Sequence, residues 1–309
     1  MKLTQKRTYN FALGSLIGLS ILAAGCGAED PSAALAALSA GQKVYAKSLL
    51  SCNPLSGGSG QAIDYNLGLA ARLYYTPAGQ TNTSNRVSDY INNGADLGVD
   101  IFFNQVNVQP TYFTQGFPSE AGPAFRTPNG NILMEWFGIR YRSTLRLANK
   151  APGRYQIATL SDDGSVLYIA PNGVNGNSVK LVDNDGQHAT RMACSSDVIT
   201  MDANTRIPIQ LDYFQGPRYR LTSMMLWRHI PDNVDLNANP SALNDPACGV
   251  AGIDTFFVTN TNGTPSTPTQ YYQNILSRGW EVIPEENFVL PNTDPANPCF
   301  PGGGVVIGI

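Results

Sequence analysis

Two adjacent carboxylates, Asp162 and Asp163, stand in Ser161-Asp-Asp-Gly164 between two runs of alternating residues. Tyr155, Ile157 and Thr159 alternate with Gln156, Ala158 and Leu160 before the pair, and Val166, Tyr168 and Ala170 follow on the same period of two. The stretch therefore reads as a hairpin with the pair at its turn. Two hard, anionic oxygen donors on one turn are what Ca2+ selects, with neutral oxygens from a neighbouring loop completing the shell. The same residues also meet a purely conformational need, because Asp163-Gly164 can supply the positive φ of a type I′ turn. A second acidic turn, Asp183-Asn-Asp-Gly-Gln-His188, reads in two ways as well. It is a bulged turn with His188 packed as a hydrogen-bonder, or a rim of the site around Asp162.

Other chemistries lack their residues. There is no GxSxG, no HExxH and no glycine-rich phosphate loop, and the two histidines are His188 and His229, which excludes a serine triad or a three-histidine metal site. Glu120, Glu135, Glu281, Glu285 and Glu286 could supply a glycosidase pair, but none has a recognisable acid/base context. Asp235-Leu-Asn-Ala-Asn239 begins like a calcium loop and then places Pro240 where glycine is required and Pro246 where glutamate is required. The expectation is a non-catalytic chain. Its formal net charge of −3 gives no attraction for nucleic acid or an anionic lipid surface.

The elements that must position the pair are strands. Of the 309 residues, 42% are hydrophobic and only 14% charged, with Gly, Pro, Asn, Thr and Ser plentiful, which favours strands and turns over long helices. Leu69 to Tyr75, Ile132 to Trp136, Thr144 to Leu147, Arg154 to Leu160, Val166 to Ala170, Val179 to Val182, Val198 to Met201, Ile207 to Phe214 and Arg220 to Trp227 read as strands. Their close spacing predicts antiparallel pairing in an all-β sandwich. Residues 77–130 read as turn-rich loops.

Six motifs in order carry a family resemblance: Gly68-Leu-Ala-Ala-Arg-Leu-Tyr-Tyr75, Glu135-Trp-Phe137, Gly153-Arg-Tyr155, Ser161 to Ile169, Asp183 to His188 and Leu211-Asp-Tyr-Phe-Gln-Gly-Pro217. Over residues 66–230 the chain resembles the PA14 domain family. The resemblance implies an antiparallel PA14-like β-sandwich of the kind found in toxins, glycosidases and adhesins, where it often binds sugars. In the sugar-binding yeast adhesins of that family, two aspartates joined by a cis peptide hold Ca2+, and the ion takes the sugar's vicinal hydroxyls. Carried over, the resemblance implies metal ligation by Asp162, Asp163 and Gln215, and sugar contacts from these three with Arg218, Tyr219 and His188. Gln215 stands where the family has asparagine and Tyr219 where it has tryptophan.

Lys2, Lys6 and Arg7 precede the apolar run Phe11 to Gly25, shorter than the roughly 18 residues of a membrane-spanning helix, so residues 1–25 read as a signal peptide. Leu22-Ala-Ala-Gly-Cys26 resembles the bacterial lipobox, which implies lipidation at Cys26 and an exported chain anchored to the outer membrane or cell surface. Residues 26–65 then form a linker, in which Asp30-Pro31 opens a short helix. Residues 66–230 form the sandwich. Residues 231–309 form an irregular appendage. Cys52, Cys194, Cys248 and Cys299 remain, an even number that predicts two disulfides in an exported protein, with three connectivities open and the appendage read as stapled through Cys248 and Cys299. Two functional readings follow. One is a surface-anchored, Ca2+-assisted carbohydrate-binding or adhesion module; the other is a structural or protein-interaction lipoprotein in which the aspartates only shape a turn.

Overall fold

A computed structural model describes residues 67–76, 85–117, 124–171, 177–260 and 266–291. The signal peptide, Cys26, the linker helix, Cys52 and Cys299 lie outside those residues. In chain order the elements are β1 (Leu69–Tyr75), α1 (Val87–Asn93), β2 (Ala95–Phe103), β3 (Asn107–Tyr112), β4 (Phe137–Leu145), β5 (Gly153–Asp162), β6 (Ser165–Ile169), β7 (Val179–Asn184), β8 (Arg191–Met201), β9 (Ile207–Gln215), β10 (Arg220–Ile230), β11 (Phe257–Val258), β12 (Thr267–Pro268), α2 (Gln270–Ser277), β13 (Glu281–Val282) and β14 (Phe288–Val289).

They build an all-β, antiparallel sandwich. One sheet runs β2-β1-β4-β9-β6-β7 with β14 added beside β4; the other runs β13-β10-β5-β8 with β3 beside β10. The core follows from the period of two. Leu69 and Leu73 of β1, Ile139 and Tyr141 of β4, and Leu211 and Tyr213 of β9 join Tyr155 and Ile157 of β5 and Met225 and Trp227 of β10 in one buried cluster.

The intervening residues of the second sheet are buried too. Ala158, Leu160, Met192, Met224 and Leu226 form a second cluster with Ala247, Phe256, Phe257, Tyr272, Ile275 and Trp280. Residues after Ile230 thus cover the outer face of this sheet, which is why β5 lacks a polar face. Burying a large apolar side chain contributes roughly 1.5–3 kcal/mol, so the five large side chains among these, Phe256, Phe257, Tyr272, Ile275 and Trp280, hold the cover in place. The same region also lends β13 to one sheet and β14 to the other.

Several local expectations are corrected. The stretch 77–130 contains α1, β2 and β3; Val87, Tyr90 and Ile91 are its buried helical stripe. Ile132 to Trp136 is not a strand, since Ile132 makes one isolated bridge to Arg126 and Trp136 has φ of 65°. Cys248 does not pair with Cys299. It is bonded to Cys194 across a Cα–Cα distance of 5.5 Å, because the chain after Cys248 runs beside β8: Gly249 N–H donates to the Met192 carbonyl and Met192 N–H to that of Val250. This disulfide ties the C-terminal cover to the sandwich. Replacing both Cys194 and Cys248 by serine is expected to lower the unfolding free energy by about 2–4 kcal/mol, read as an earlier urea midpoint; an unchanged midpoint would contradict the tie.

Candidate functional site

Asp162 and Asp163 do not sit on a hairpin. β5 pairs with β8 and β10, whereas β6 pairs with β7 and β9, so Ser161–Gly164 is a corner at which the chain leaves one sheet for the other. Neither Asp163 nor Gly164 is among the positive-φ residues. Glycine is needed at 164 for space, because an added Cβ would stand 2.5 Å from a Phe214 ring carbon and 2.8 Å from the Gly186 backbone. Alternation plus Asp-Gly signals a turn but not whether the next strand returns to the same sheet. The Asp162–Asp163 peptide is cis, as the resemblance implied.

The corner rests on a chain of buried hydroxyls. Ser165 Oγ donates to Thr159 Oγ1 (3.1 Å) and shares a bond with Ser161 Oγ (2.9 Å), which also accepts from Asn184 Nδ2 (2.9 Å). Arg191 Nε fixes the other end of that amide, donating to Asn184 Oδ1 at 2.6 Å. β5, β6, β7 and β8 are thereby locked to one another directly beneath the two carboxylates.

Both carboxylates are buried. Asp162 Oδ2 accepts from Thr190 Oγ1 at 3.0 Å. Asp163 Oδ1 accepts from the His188 N–H (3.0 Å) and Oδ2 from the Gly216 N–H (2.8 Å), so this one side chain joins the corner to both neighbouring loops. Tyr90, stacked on Phe214 at 4.6 Å, closes the far side. Desolvation, followed by the charge of Asp163, raises the Asp162 pKa to about 8. Desolvation raises Asp163 to about 7, against the opposing bonds from Gly216 and His188.

These shifts carry a sign. Both folded-state values lie above the unfolded value of 3.8, so the folded chain retains protons that the unfolded chain has released. The stability this contributes is full below pH 3.8 and is lost as pH rises through 7 and 8. In calorimetric scans of the metal-free protein, Tm is expected to fall between about pH 5 and pH 8.5. A Tm that stayed level or rose there would contradict the burial of two unneutralised carboxylates.

The remaining expected residues divide. Gln215 is fully buried: Oε1 lies 2.8 Å from the Tyr213 hydroxyl, whose single proton it shares with the Asp162 carbonyl, also at 2.8 Å, and Nε2 donates to the Arg220 carbonyl (3.0 Å). The side chain thus closes the 216–219 loop through the Arg220 carbonyl, while its oxygen keeps a second lone pair beside the Tyr213 hydroxyl. The His188 ring lies against the carbonyls of Ala189 (2.9 Å) and Asn184 (3.0 Å), and its contribution to the corner is its backbone N–H. Arg218 and Tyr219 are exposed on the loop, with φ of 56° and 77°, and Tyr219 is 62% exposed. Tyr90 and Thr190 were missed by the sequence reading, which placed Gly216 in the site through its carbonyl and not through the N–H that it donates to Asp163. Only the helical spacing of Val87, Tyr90 and Ile91 could have flagged the first of them.

The donor set fits a divalent cation. Two desolvated carboxylates on one corner lack a positive partner among the hydrogen bonds they make, and a cation supplies one. Among the described residues no three His, Cys, Asp or Glu side chains gather, so neutral oxygens would have to complete the shell. The carbonyls of Gly216–Arg218 are the available kind, since that of Tyr219 already accepts from the Phe113 N–H and Arg220 Nη1.

No protein-family model matches the sequence, and no curated protein does. Solved structures to which the chain is similar include an anti-sigma factor domain-containing protein, with TM-score 0.40 and 12% identity over 74% of this chain and 50% of that one. The chain spans about half the length of that protein. Others are a PA14 sugar-binding domain from an RTX adhesin, with TM-score 0.38 and 13% identity over 53% of this chain and 90% of that one, and the epithelial adhesin 6 A domain from Candida glabrata in complex with Galb1-3GlcNAc, with TM-score 0.38 and 12% identity over 56% and 84%. PA14 domains are thus among the structures this chain is similar to. The likeness is one of fold.

Proposed function

We propose that the protein is a non-catalytic carbohydrate-binding or adhesion module whose ligand is held through Ca2+ at Asp162 and Asp163. The reading is carried by one observation: two adjacent buried carboxylates, raised in pKa by desolvation, stand beside an exposed loop that offers neutral oxygens and an aromatic ring. Asp162 and Asp163 neutralise the ion, carbonyls of the Gly216–Arg218 stretch complete its protein ligands, and the positions left open take hydroxyls of a sugar. Tyr219 supplies a face on which the sugar ring packs, and Arg218 supplies hydrogen-bond donors at the rim. Gln215 positions the loop. The similar adhesin domains, one sugar-binding and one in complex with Galb1-3GlcNAc, agree with this reading. Anchorage through a lipid on Cys26 would present the module at the bacterial surface.

A second reading has support of its own. Each Asp163 oxygen already accepts a backbone N–H, which is what a carboxylate that only ties three loops together would do. Titration of CaCl2 alone into the metal-free protein by calorimetry decides between them. One Ca2+ bound per chain is expected; the absence of binding at millimolar Ca2+ would leave the structural reading.

A further inference from the structure

The chain segment Ala251–Asp254 crosses the end of β5 at which Asp162 stands. On one side it is tied to β8 and its approach, through the Arg191–Ala251 bridge and the Gly252 N–H donating to the Thr190 carbonyl at 2.9 Å. On the other side Asp254 Oδ1 accepts from Arg220 Nη2 of β10 at 3.2 Å. β5 lies between those two strands. Thr190, bonded to the crossing segment through its carbonyl, is also the residue whose hydroxyl donates to Asp162.

Arg220 is the cation nearest this arrangement. In the β5–β10 register Asp162 stands opposite Thr222, and Arg220 lies two residues along β10, on the same side of the strand. Its guanidinium packs 4.2 Å over the Tyr112 ring and donates to the Tyr219 carbonyl at 3.2 Å as well as to Asp254. It does not hydrogen-bond Asp162, although its charge acts on that carboxylate. Two polar atoms here are buried without a hydrogen-bond partner, Arg220 Nε and Thr222 Oγ1. A buried N–H left unspent has reason to turn toward an acceptor. The desolvated carboxylate on which the Arg220 charge acts is one, and Asp254, itself 53% exposed, is the group that competes for the guanidinium.

We propose that Asp254 is a positioning residue of the Asp162–Asp163 site: by engaging Arg220 it keeps the guanidinium off Asp162 and leaves that carboxylate open to a divalent cation. The proposal rests on the Ca2+ reading above. It gives residues after Ile230 a part in ligand binding, since the segment bearing Asp254 is held down by the Cys194–Cys248 bridge three residues before Ala251. Without Asp254, Arg220 turns to Asp162 and Ca2+ must displace it; an opposite charge at such range shifts the occupancy of a carboxylate by about tenfold or more.

The test is calorimetric titration of CaCl2 into the full chain carrying Asp254→Ala, Asp254→Glu, Arg220→Gln, or Arg220→Gln with Asp254→Ala. Asp254→Ala is expected to weaken Ca2+ binding about tenfold with little change in Tm, because the side chain is exposed. Asp254→Glu is expected to restore it. In the Arg220→Gln background, Asp254→Ala is expected to change nothing, since the competing cation is gone; Arg220→Lys serves as the background if the glutamine variant does not fold, with the effect expected to shrink rather than vanish. Wild-type affinity in Asp254→Ala, or an equal loss in the presence and absence of the guanidinium, would overturn the proposal while leaving the Ca2+ site standing. A wild-type protein that binds no Ca2+ would overturn both.

Discussion

Replacing Asp245 by alanine is expected to be the most damaging single change outside the core, lowering the unfolding free energy by about 3–5 kcal/mol and Tm by on the order of 10 °C. The Asp245 side chain is fully buried and collects four partners. Arg278 donates twice at 2.8 Å, Trp280 Nε1 at 3.0 Å and the Ala247 N–H at 2.9 Å, with Arg228 at 3.4 Å completing the group. Burial pushes the Asp245 carboxyl up, but the bonds from Arg278, Ala247 and Trp280 outweigh it and hold the pKa below its ordinary value. Truncation removes the anion of this cluster, unpairs the buried Trp280 Nε1, and leaves the Arg228 guanidinium with no counter-charge, held by the Gln156 amide oxygen (2.8 Å), the Ala242 carbonyl (3.0 Å) and its stacking on Trp280 at 5.0 Å. Because the same cover carries Cys248 and Asp254, its loosening should also be felt at the corner. A urea midpoint in Asp245→Ala equal to that of the wild type would contradict the role of this cluster.

Asp162→Asn is expected to act in two opposite directions. The amide keeps an oxygen for the Thr190 hydroxyl, so the packing of the corner survives, and it removes one of two repelling, desolvated charges. The metal-free variant should therefore match or exceed the wild type in Tm at pH 8, where the wild-type pair is ionising. Loss of one of two anionic ligands should meanwhile weaken Ca2+ binding by about two orders of magnitude. Stability rising while affinity falls is the mark of a group retained for binding. Asp163→Asn is the less clean substitution, since both Asp163 oxygens accept N–H donors and an amide nitrogen facing either one leaves it unpaired. Differential scanning calorimetry with and without Ca2+ checks both directions. A lower Tm in the metal-free Asp162→Asn protein would point to a corner built for structure.

The sandwich was legible in the sequence because Tyr155-Ile157 and Leu211-Tyr213 obey the period of two that one-sided burial imposes. The corner was legible as a pair of carboxylates but not as a junction between sheets. Alternation on both sides of Asp162-Asp163 is compatible with a hairpin or a crossing, and only the partners of β5 and β6 decide. The resemblance implied Gln215 as a metal ligand; that its amide also lies against the Tyr213 hydroxyl and the Arg220 carbonyl is a contest that spacing cannot reveal. The pairing of Cys194 with Cys248 depended on where residues 249–252 run, and nothing in their composition places them beside β8. Asp245 stood in a proline-rich stretch that read as loop, and its side-chain partners Arg228, Arg278 and Trp280 lie 17 to 35 residues away. Such long-range closures are set by tertiary packing rather than by local pattern.

Immobilised glycans offer the most direct measurement of the central claim: retention of the wild-type protein in Ca2+, the same protein in EDTA, and Asp162→Asn in Ca2+. The expected result is retention of the wild type on a subset of glycans in Ca2+, with release by EDTA and none by the variant. Retention that persists in EDTA and in Asp162→Asn alike, or no retention on any glycan by a wild-type protein shown to bind Ca2+, would contradict it.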